Sequence, residues 1–133
     1  KVIKMNGYIR NLETITHQGL AGVVIRPMQS YDPKVEIGQD ILVTVEANGI
    51  IPLHTHQCEA RMYIVAGNAE VLSTDSKLHG KYVDPGVEVY FEANVAHGFA
   101  AGKNGLTFVS RNGGIVDKVQ ENWDIKFTGD KNE

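Results

Sequence analysis

Residues 49–67 of this chain, GIIPLHTHQCEARMYIVAG, decide its fold and point to its chemistry. The segment is rich in residues that favour β-structure, and it places His54 and His56 one residue apart. Side chains two positions apart on an extended strand leave the same face, so both imidazoles are aimed at one point. Neutral imidazole is a common ligand for transition metals, but an isolated pair of this kind is usually two ordinary surface residues. A metal site here therefore requires a third partner elsewhere in the chain.

The overall composition is that of an average globular domain. The chain has 133 residues, of which 42% are hydrophobic and 22% are charged, and its net charge is −3. This length predicts one domain, and the scattered basic residues predict neither nucleic acid nor a membrane as a partner. Cys58 is the single cysteine, so an intrachain disulfide is excluded. The sequence shows neither a signal-peptide pattern nor an apolar run of membrane-spanning length, which favours a cytoplasmic location.

Short alternating segments separated by turn signals run through most of the chain. An apolar run at residues 21–26 ends at Pro27, and residues 40–46 alternate between apolar and polar side chains. Gly67-Asn68 predicts a tight turn that joins residues 61–66 and 69–74 into a hairpin. No helical period extends over ten residues. The pattern therefore predicts an all-β sandwich or barrel, with further strands at residues 87–91 and 106–110.

His97 is the candidate for the third partner. It follows His56 after two or three predicted strands, which is the separation at which an antiparallel double-sheet fold returns a strand beside an earlier one. The spacing around all three histidines resembles that of the cupins, small RmlC-like jelly-roll proteins with two sequence motifs. The first motif is matched at Gly49, with one fewer residue before the histidine pair, and at Gly67.

The second cupin motif is matched less completely. Gly86 and His97 stand at the family's separation, whereas Glu92, Asn94 and Ala101 stand where the family usually has proline, glycine and asparagine. The resemblance implies a double-stranded β-helix, the jelly-roll or cupin barrel, formed by residues 1–133 as a single domain. We expect a core at about residues 20–120, an N-terminal arm or edge strand at residues 1–19, and a C-terminal extension at residues 121–133.

The resemblance also implies partners for this domain. Cupin ligands bind in the mouth of the barrel, so we expect a small-molecule substrate or ligand there. Many cupins are dimers, and we expect a homodimer in which Trp123 and the N-terminal segment extend one sheet across to the second subunit.

The sequence departs from the cupin pattern at one expected metal ligand. The family's glutamate position falls on Ala60, and Glu59 is its immediate neighbour. A displacement of one residue along a strand sends a side chain to the opposite face, so Glu59 becomes a ligand only if a bulge re-aims it. The more favoured alternative is a three-histidine site, formed by His54, His56 and His97, that binds one divalent transition metal: iron, manganese, nickel or zinc. Cys58 is expected to be a small buried hydrophobe rather than a soft ligand.

Three neutral nitrogen ligands leave a divalent metal its full charge, which makes it a strong Lewis acid for anionic, bidentate substrates. The resemblance to cupins supports this option, because some cupin-type dioxygenases bind iron through three histidines. We therefore expect a metal-dependent enzyme of dioxygenase, lyase or isomerase type that acts on a small oxygenated organic molecule. The alternatives are a non-catalytic cupin that binds a sugar or organic acid and, ranked last, a storage or structural cupin.

Arg61 and Tyr63 are candidates for catalytic residues, because an arginine can hold a substrate carboxylate and a tyrosine can donate a proton. They occupy alternate positions after the first motif. The simpler interpretation, which we favour, is an ordinary cross-strand pair on the outer face of the sheet.

Overall fold

The computed structural model describes residues 6–28, 40–111, 116 and 119–128, and about half of these residues form a curled antiparallel sheet of eight strands. A single 3₁₀ turn, Gln120–Asn122, is the only helical segment of these residues, and none of their helical structure is long enough to cross a lipid bilayer. The all-β prediction is confirmed. The strands are β1 Val23–Pro27, β2 Ile41–Val45, β3 Ile50–Thr55, β4 Ala60–Ser73, β5 Tyr82–Val83, β6 Glu88–Phe91, β7 His97–Arg111 and β8 Lys126–Phe127.

Strand β7 is the centre of the sheet. Along one edge its first half pairs with β3 and its second half pairs with β2, while β4 pairs along its other edge. The far edge of β4 carries β5 and β6, and β1 closes the opposite side of the sheet next to β2. Pro27 ends this outer strand, where a residue without a backbone N–H is tolerated.

The predicted hairpin at Gly67-Asn68 is wrong, because the chain continues through these residues as part of the long strand β4. Gly67 has a φ of 76°, and the pairing register with β7 shifts on both sides of it. A Cβ at Gly67 would lie 2.1 Å from the carbonyl oxygen of Gly105, so β7 approaches here as only glycine allows. Gly67 therefore permits a bulge that bends the strand, rather than a turn that reverses the chain.

Strict alternation at the start of β4 separates the core from the surface. Ala60, Met62 and Ile64 are buried, whereas Arg61 and Tyr63 between them are exposed. Residues of this inner face pack with those of β1, β2 and β7 into one hydrophobic core. This alternation determines which of the candidate residues can reach a site inside the barrel.

The chain segments before β1 and after β7 return to this same core. Ile15 forms a bridge with Ile25, and β8 pairs with the end of β3. Trp123 is buried, 7% exposed, against the core of its own chain. Ile15 and Trp123 therefore pack against the barrel of their own chain, and the homodimer stays a prediction. The C-terminal segment contributes directly to the site described next.

Candidate metal centre

Three histidines from two neighbouring strands meet inside the barrel. His54 on β3 and His97 on β7 are direct partners in the antiparallel pairing, and His56 follows just beyond the end of β3. One ring nitrogen from each lies within 4.8 Å of the others, and the Nε2 atoms of His54 and His56 are 3.1 Å apart. The structure thus brings together the three residues that the sequence analysis singled out.

Backbone carbonyls orient all three rings in the same way. The Nδ1 atoms of His54 and His97 lie 2.7 Å from the carbonyl oxygen of Pro52 and 3.0 Å from that of Val95. The Nδ1 of His56 lies 2.5 Å from the carbonyl oxygen of Asp124. A carbonyl can only accept a hydrogen bond, so each Nδ1 carries the proton and each Nε2 of a neutral ring keeps its lone pair. Metal-binding histidines are held in this manner.

The unprotonated nitrogens fit a divalent metal. His97 Nε2 is buried and is the one buried side-chain nitrogen or oxygen without a hydrogen-bond partner in the described part of the chain. Two lone pairs that face each other at 3.1 Å, as in His54 and His56, repel unless a proton or cation lies between them. Ligand nitrogens about 2.0–2.1 Å from one metal lie roughly 3.0–3.4 Å from each other, so the spacing of this pair suits shared coordination.

Burial keeps the three rings neutral. Desolvation lowers the pKa of His97 to about 4. Desolvation also holds the pKa of His54 well below its usual range, with the charges of His97 and His56 acting in the same direction. The pKa of His56 is lowered by desolvation and is partly restored by its hydrogen bond to the Asp124 carbonyl. The ligand nitrogens are therefore unprotonated at neutral pH.

Glu59 is not brought to the histidines. Its carboxylate lies on the exposed side of the sheet, where Oε2 accepts a 2.6 Å hydrogen bond from the hydroxyl of Tyr90. The pairing of β4 with β6 is regular from Ala60 onward, with no bulge to re-aim the side chain. Ala60 itself is 1% exposed and faces the core, so the position of the family's glutamate holds a methyl group.

An aromatic ring lies beside Ala60, the position at which cupins usually have a glutamate. Phe91 is the pairing partner of Ala60, and its ring stacks on His97 with centroids 4.2 Å apart and planes 8° from parallel. One face of the His97 ring is thereby covered by an apolar group. The clustered side chains that could hold a metal among the described residues are therefore all nitrogen donors, and Phe91 gives His97 an apolar neighbour.

Arg61 and Tyr63 also lie away from the histidines, on the outer face. Arg61 stands 3.9 Å from the Glu88 carboxylate and packs over the Tyr90 ring, 4.6 Å from its centroid. A hydrogen bond to Glu88 raises the pKa of Tyr63. Both side chains take part in the surface cross-strand cluster that the simpler interpretation describes.

Asp124 is the functional residue that sequence reasoning missed. Its carbonyl holds His56, while its carboxylate accepts hydrogen bonds from the Gln57 amide at 3.0 and 3.1 Å and from the Cys58 thiol at 3.7 Å. Cys58 thus contacts this carboxylate and is not among the clustered ligand atoms. Residues 56–58 and Asp124 lie far apart in the chain, and no sequence motif links them. The sequence therefore contained no signal for this set of contacts, which we call the Asp124 clamp.

The comparisons with known proteins identify the fold. No protein-family model and no curated protein sequence matches this chain. The polyketide cyclase RemF from Streptomyces resistomycificus superposes with a TM-score of 0.65 at 18% identity, over 88% of this chain and 92% of that one. A cupin-like protein from Thermotoga maritima gives 0.65 at 16% identity, over 92% and 90% of the two chains. An RmlC-like cupin from Shewanella frigidimarina gives 0.61 at 14% identity, over 84% and 92%. The protein has the jelly-roll barrel of the small cupins, as its motifs predicted.

Proposed function

We propose that this protein is a metal-dependent cupin enzyme that acts on a small oxygenated organic molecule at a divalent transition metal held by His54, His56 and His97. The convergence of three unprotonated Nε2 atoms, one of them buried without a partner, carries this proposal. That at least one structural neighbour is an enzyme, the polyketide cyclase, adds support from the fold alone.

The chain's own residues prepare the site in two ways. The backbone carbonyls of Pro52, Val95 and Asp124 fix the tautomers. The barrel excludes water around His54 and His97, which are 5% and 2% exposed. A bound iron, manganese, nickel or zinc ion would supply Lewis-acid chemistry on a substrate oxygen or, with iron, activation of O2. Among the described residues, the cluster that would hold the metal includes no carboxylate to lower its charge.

The metal content of the purified protein tests this proposal. We expect about one equivalent of a transition metal in protein purified without chelators, and its loss in the variants His54→Ala and His97→Ala. Arg61→Ala and Tyr63→Phe are the matched controls, because both residues lie on the outer face, and they should retain the metal. A parent protein that stays empty when metal is added would refute the proposal.

A second candidate function is non-catalytic binding of a small molecule. One observation favours it: Arg61 and Tyr63 lie outside, and the only titratable side chains among the described residues that line the cavity are the three histidines and Asp124. A binding cupin would hold its ligand with equal affinity in the His54→Ala variant and show no turnover. An enzyme should lose turnover and ligand affinity in that variant together.

A further inference from the structure

A polar cleft lies where β8 pairs with the end of β3. Its described lining comes from three separate parts of the chain: residues 55–57, Asn94 and residues 122–126. The space open to the centre of a water molecule is about 520 Å³ in this cleft, against about 50 Å³ in the cavity inside the barrel that the three histidines line. Sites for small molecules usually have volumes of roughly 300–1,000 Å³. The cleft therefore has the size of a ligand site.

The cleft is separated from the inner cavity by a wall of shared residues. Four residues line both spaces: His56, Trp123, Asp124 and Ile125. Lys126 and its pairing partner Thr55 line the cleft and not the cavity. Paired residues share one face of a sheet, and Thr55 follows His54, which faces inward, so Lys126 and Thr55 face outward. The cleft is therefore a space of its own on the outside of the barrel.

The cleft presents amide groups that the described residues leave without partners. The backbone N–H groups of Gln57 and Asn94 donate hydrogen bonds to Asp124 and His56. The side-chain amides of Gln57 and Asn94 make no hydrogen bond with any described residue. Each such amide offers donors and an acceptor. Together they suit the hydroxyl and carbonyl oxygens of a small polar molecule.

The charges of the cleft favour an anionic ligand. Lys126 is the only lysine or arginine of the described lining, and no described carboxylate lies within ion-pair distance of it. The carboxylate of Asp124 already accepts hydrogen bonds from the Gln57 amide and the Cys58 thiol. A lysine ammonium group is a donor that pairs with carboxylates. Among the described residues, the positive charge of the lining therefore lacks a partner, whereas the negative charge is engaged.

We infer that this cleft is a second ligand site, distinct from the metal centre, for a small polar carboxylic acid. The carboxylate of the ligand pairs with Lys126, and its hydroxyl or oxo groups form hydrogen bonds with Gln57 and Asn94. Trp123 and Ile125 provide an apolar surface for its carbon skeleton. The site requires no metal, so this inference does not rest on the proposed function.

Fluorescence of Trp123 reports binding, since it is the only tryptophan of the chain and lines the cleft. We would titrate metal-free protein at neutral pH with glucuronate, glucose and glucosamine, which are an anion, a neutral molecule and a cation built on similar rings. Calorimetry would confirm each affinity. Glucuronate should bind saturably and about three- to fivefold more tightly than glucose, the gain expected from an exposed ion pair, and glucosamine should bind no more tightly than glucose. The absence of saturable glucuronate binding, or glucosamine binding as tightly as glucuronate, would overturn the inference.

Three variants locate the two ends of the ligand. Lys126→Gln should weaken glucuronate binding about three- to fivefold and leave glucose binding unchanged. Lys103→Gln, at an exposed lysine outside the cleft lining, is the matched control and should change neither. Asn94→Gly removes the side-chain amide and tolerates the backbone φ of 65°, so it should weaken the binding of both molecules. Glucuronate affinity equal to that of the parent in Lys126→Gln or in Asn94→Gly would overturn the inference.

A fourth variant separates the cleft from the metal centre. His97 lines the inner cavity and not the cleft, so metal-free His97→Gln should bind glucuronate as tightly as the parent does. Thermal denaturation would show that this variant is folded. A folded His97→Gln protein that no longer binds glucuronate would place the ligand among the histidines and overturn the inference.

Metal content measured on the same preparations distinguishes this inference from the proposed function. A protein that binds glucuronate through Lys126 but takes up no metal would refute the proposed function and support this inference. A protein that takes up metal through its histidines but binds no glucuronate would support the proposed function and overturn this inference.

Discussion

The inner and outer faces of the sheet near β4 both carry side chains of types that are common in active sites. Those of the inner face are buried, and those of the outer face are exposed to water. On the inner side, the ring nitrogens of His54 and His97 are buried, and His97 Nε2 lacks a partner. On the outer side, Glu59 accepts a hydrogen bond from Tyr90 and Arg61 lies near Glu88. The outer groups satisfy one another beside water, whereas the inner groups are dehydrated and aimed at a common point. Only the inner arrangement is left incomplete without a ligand.

This contrast explains why residue type alone does not identify a site. Glutamate, arginine and tyrosine are common in active sites, yet a shift of one position along a strand places them outside. A buried group that lacks a partner is the stronger sign of function, because leaving it so costs folding free energy that a ligand can restore.

The largest expected difference in the free energy of unfolding is between variants of two adjacent aromatic residues, one on each face. Phe91→Ala removes a fully buried ring stacked on His97 and should lower the free energy of unfolding by about 3–5 kcal/mol. Tyr90→Ala, its neighbour on the outer face, should cost much less, because its ring is partly exposed. Urea denaturation of both variants makes the comparison. Equal losses would mean that the inner face is not a packed core.

Acid should destabilise the metal-free protein through the inner histidines. The pKa of His97 is about 4 in the folded chain, against an ordinary value of 6.5, so between these pH values the unfolded chain binds a proton that the folded chain does not. The stabilising effect is fully present above pH 6.5 and is lost as the pH falls to about 4, with about 3 kcal/mol from His97 alone. His54 adds to the loss in the same direction.

Denaturation midpoints across this pH range, for the parent and for His97→Gln, measure the effect. The glutamine variant lacks this titration, so its stability should fall less steeply than that of the parent. Parallel curves for the two proteins would show that His97 is not held neutral by burial.

A smaller effect, on zinc affinity, is expected when the Asp124 clamp between the C-terminal segment and the histidines is weakened. Asp124→Ala keeps the carbonyl that orients His56 but removes the side-chain bonds to the Gln57 amide, and should weaken zinc binding by about tenfold. Asp124→Asn retains an oxygen acceptor and should bind zinc nearly as well as the parent. Competition with a chromogenic chelator measures both. An alanine variant with parental affinity would contradict the role of the clamp.

The smallest changes in stability and in zinc affinity are expected for a substitution on the outer face. Arg61→Ala removes a half-exposed ion pair with Glu88 at 3.9 Å and should change the free energy of unfolding by less than about 1 kcal/mol. Zinc affinity should be unchanged. A substantial loss of zinc binding in this variant would remove the distinction between the two faces.

The sequence predicted strands close to β1, β2 and β6 and the cluster of three histidines, because each depends on local alternation or on a recognisable spacing. It failed at Gly67, since a glycine that permits a bulge and a glycine that permits a turn look alike until the approaching strand is known. It also failed at Asp124, whose contacts with His56 and Gln57 join distant parts of the chain. For Glu59 the sequence allowed either a metal ligand re-aimed by a bulge or a side chain on the opposite face of the strand. The regular pairing of β4 with β6 and the hydrogen bond from Tyr90 show that the side chain faces outward.

X-ray absorption at the zinc edge of the zinc-loaded protein tests the three-histidine centre most directly. We expect three imidazole nitrogens at about 2.0–2.1 Å, with any remaining ligands being oxygen from water or buffer, and an unchanged spectrum in Glu59→Gln and Cys58→Ser. A sulfur ligand at about 2.3 Å, fewer than three imidazoles, or a spectrum that changes in Glu59→Gln would contradict it.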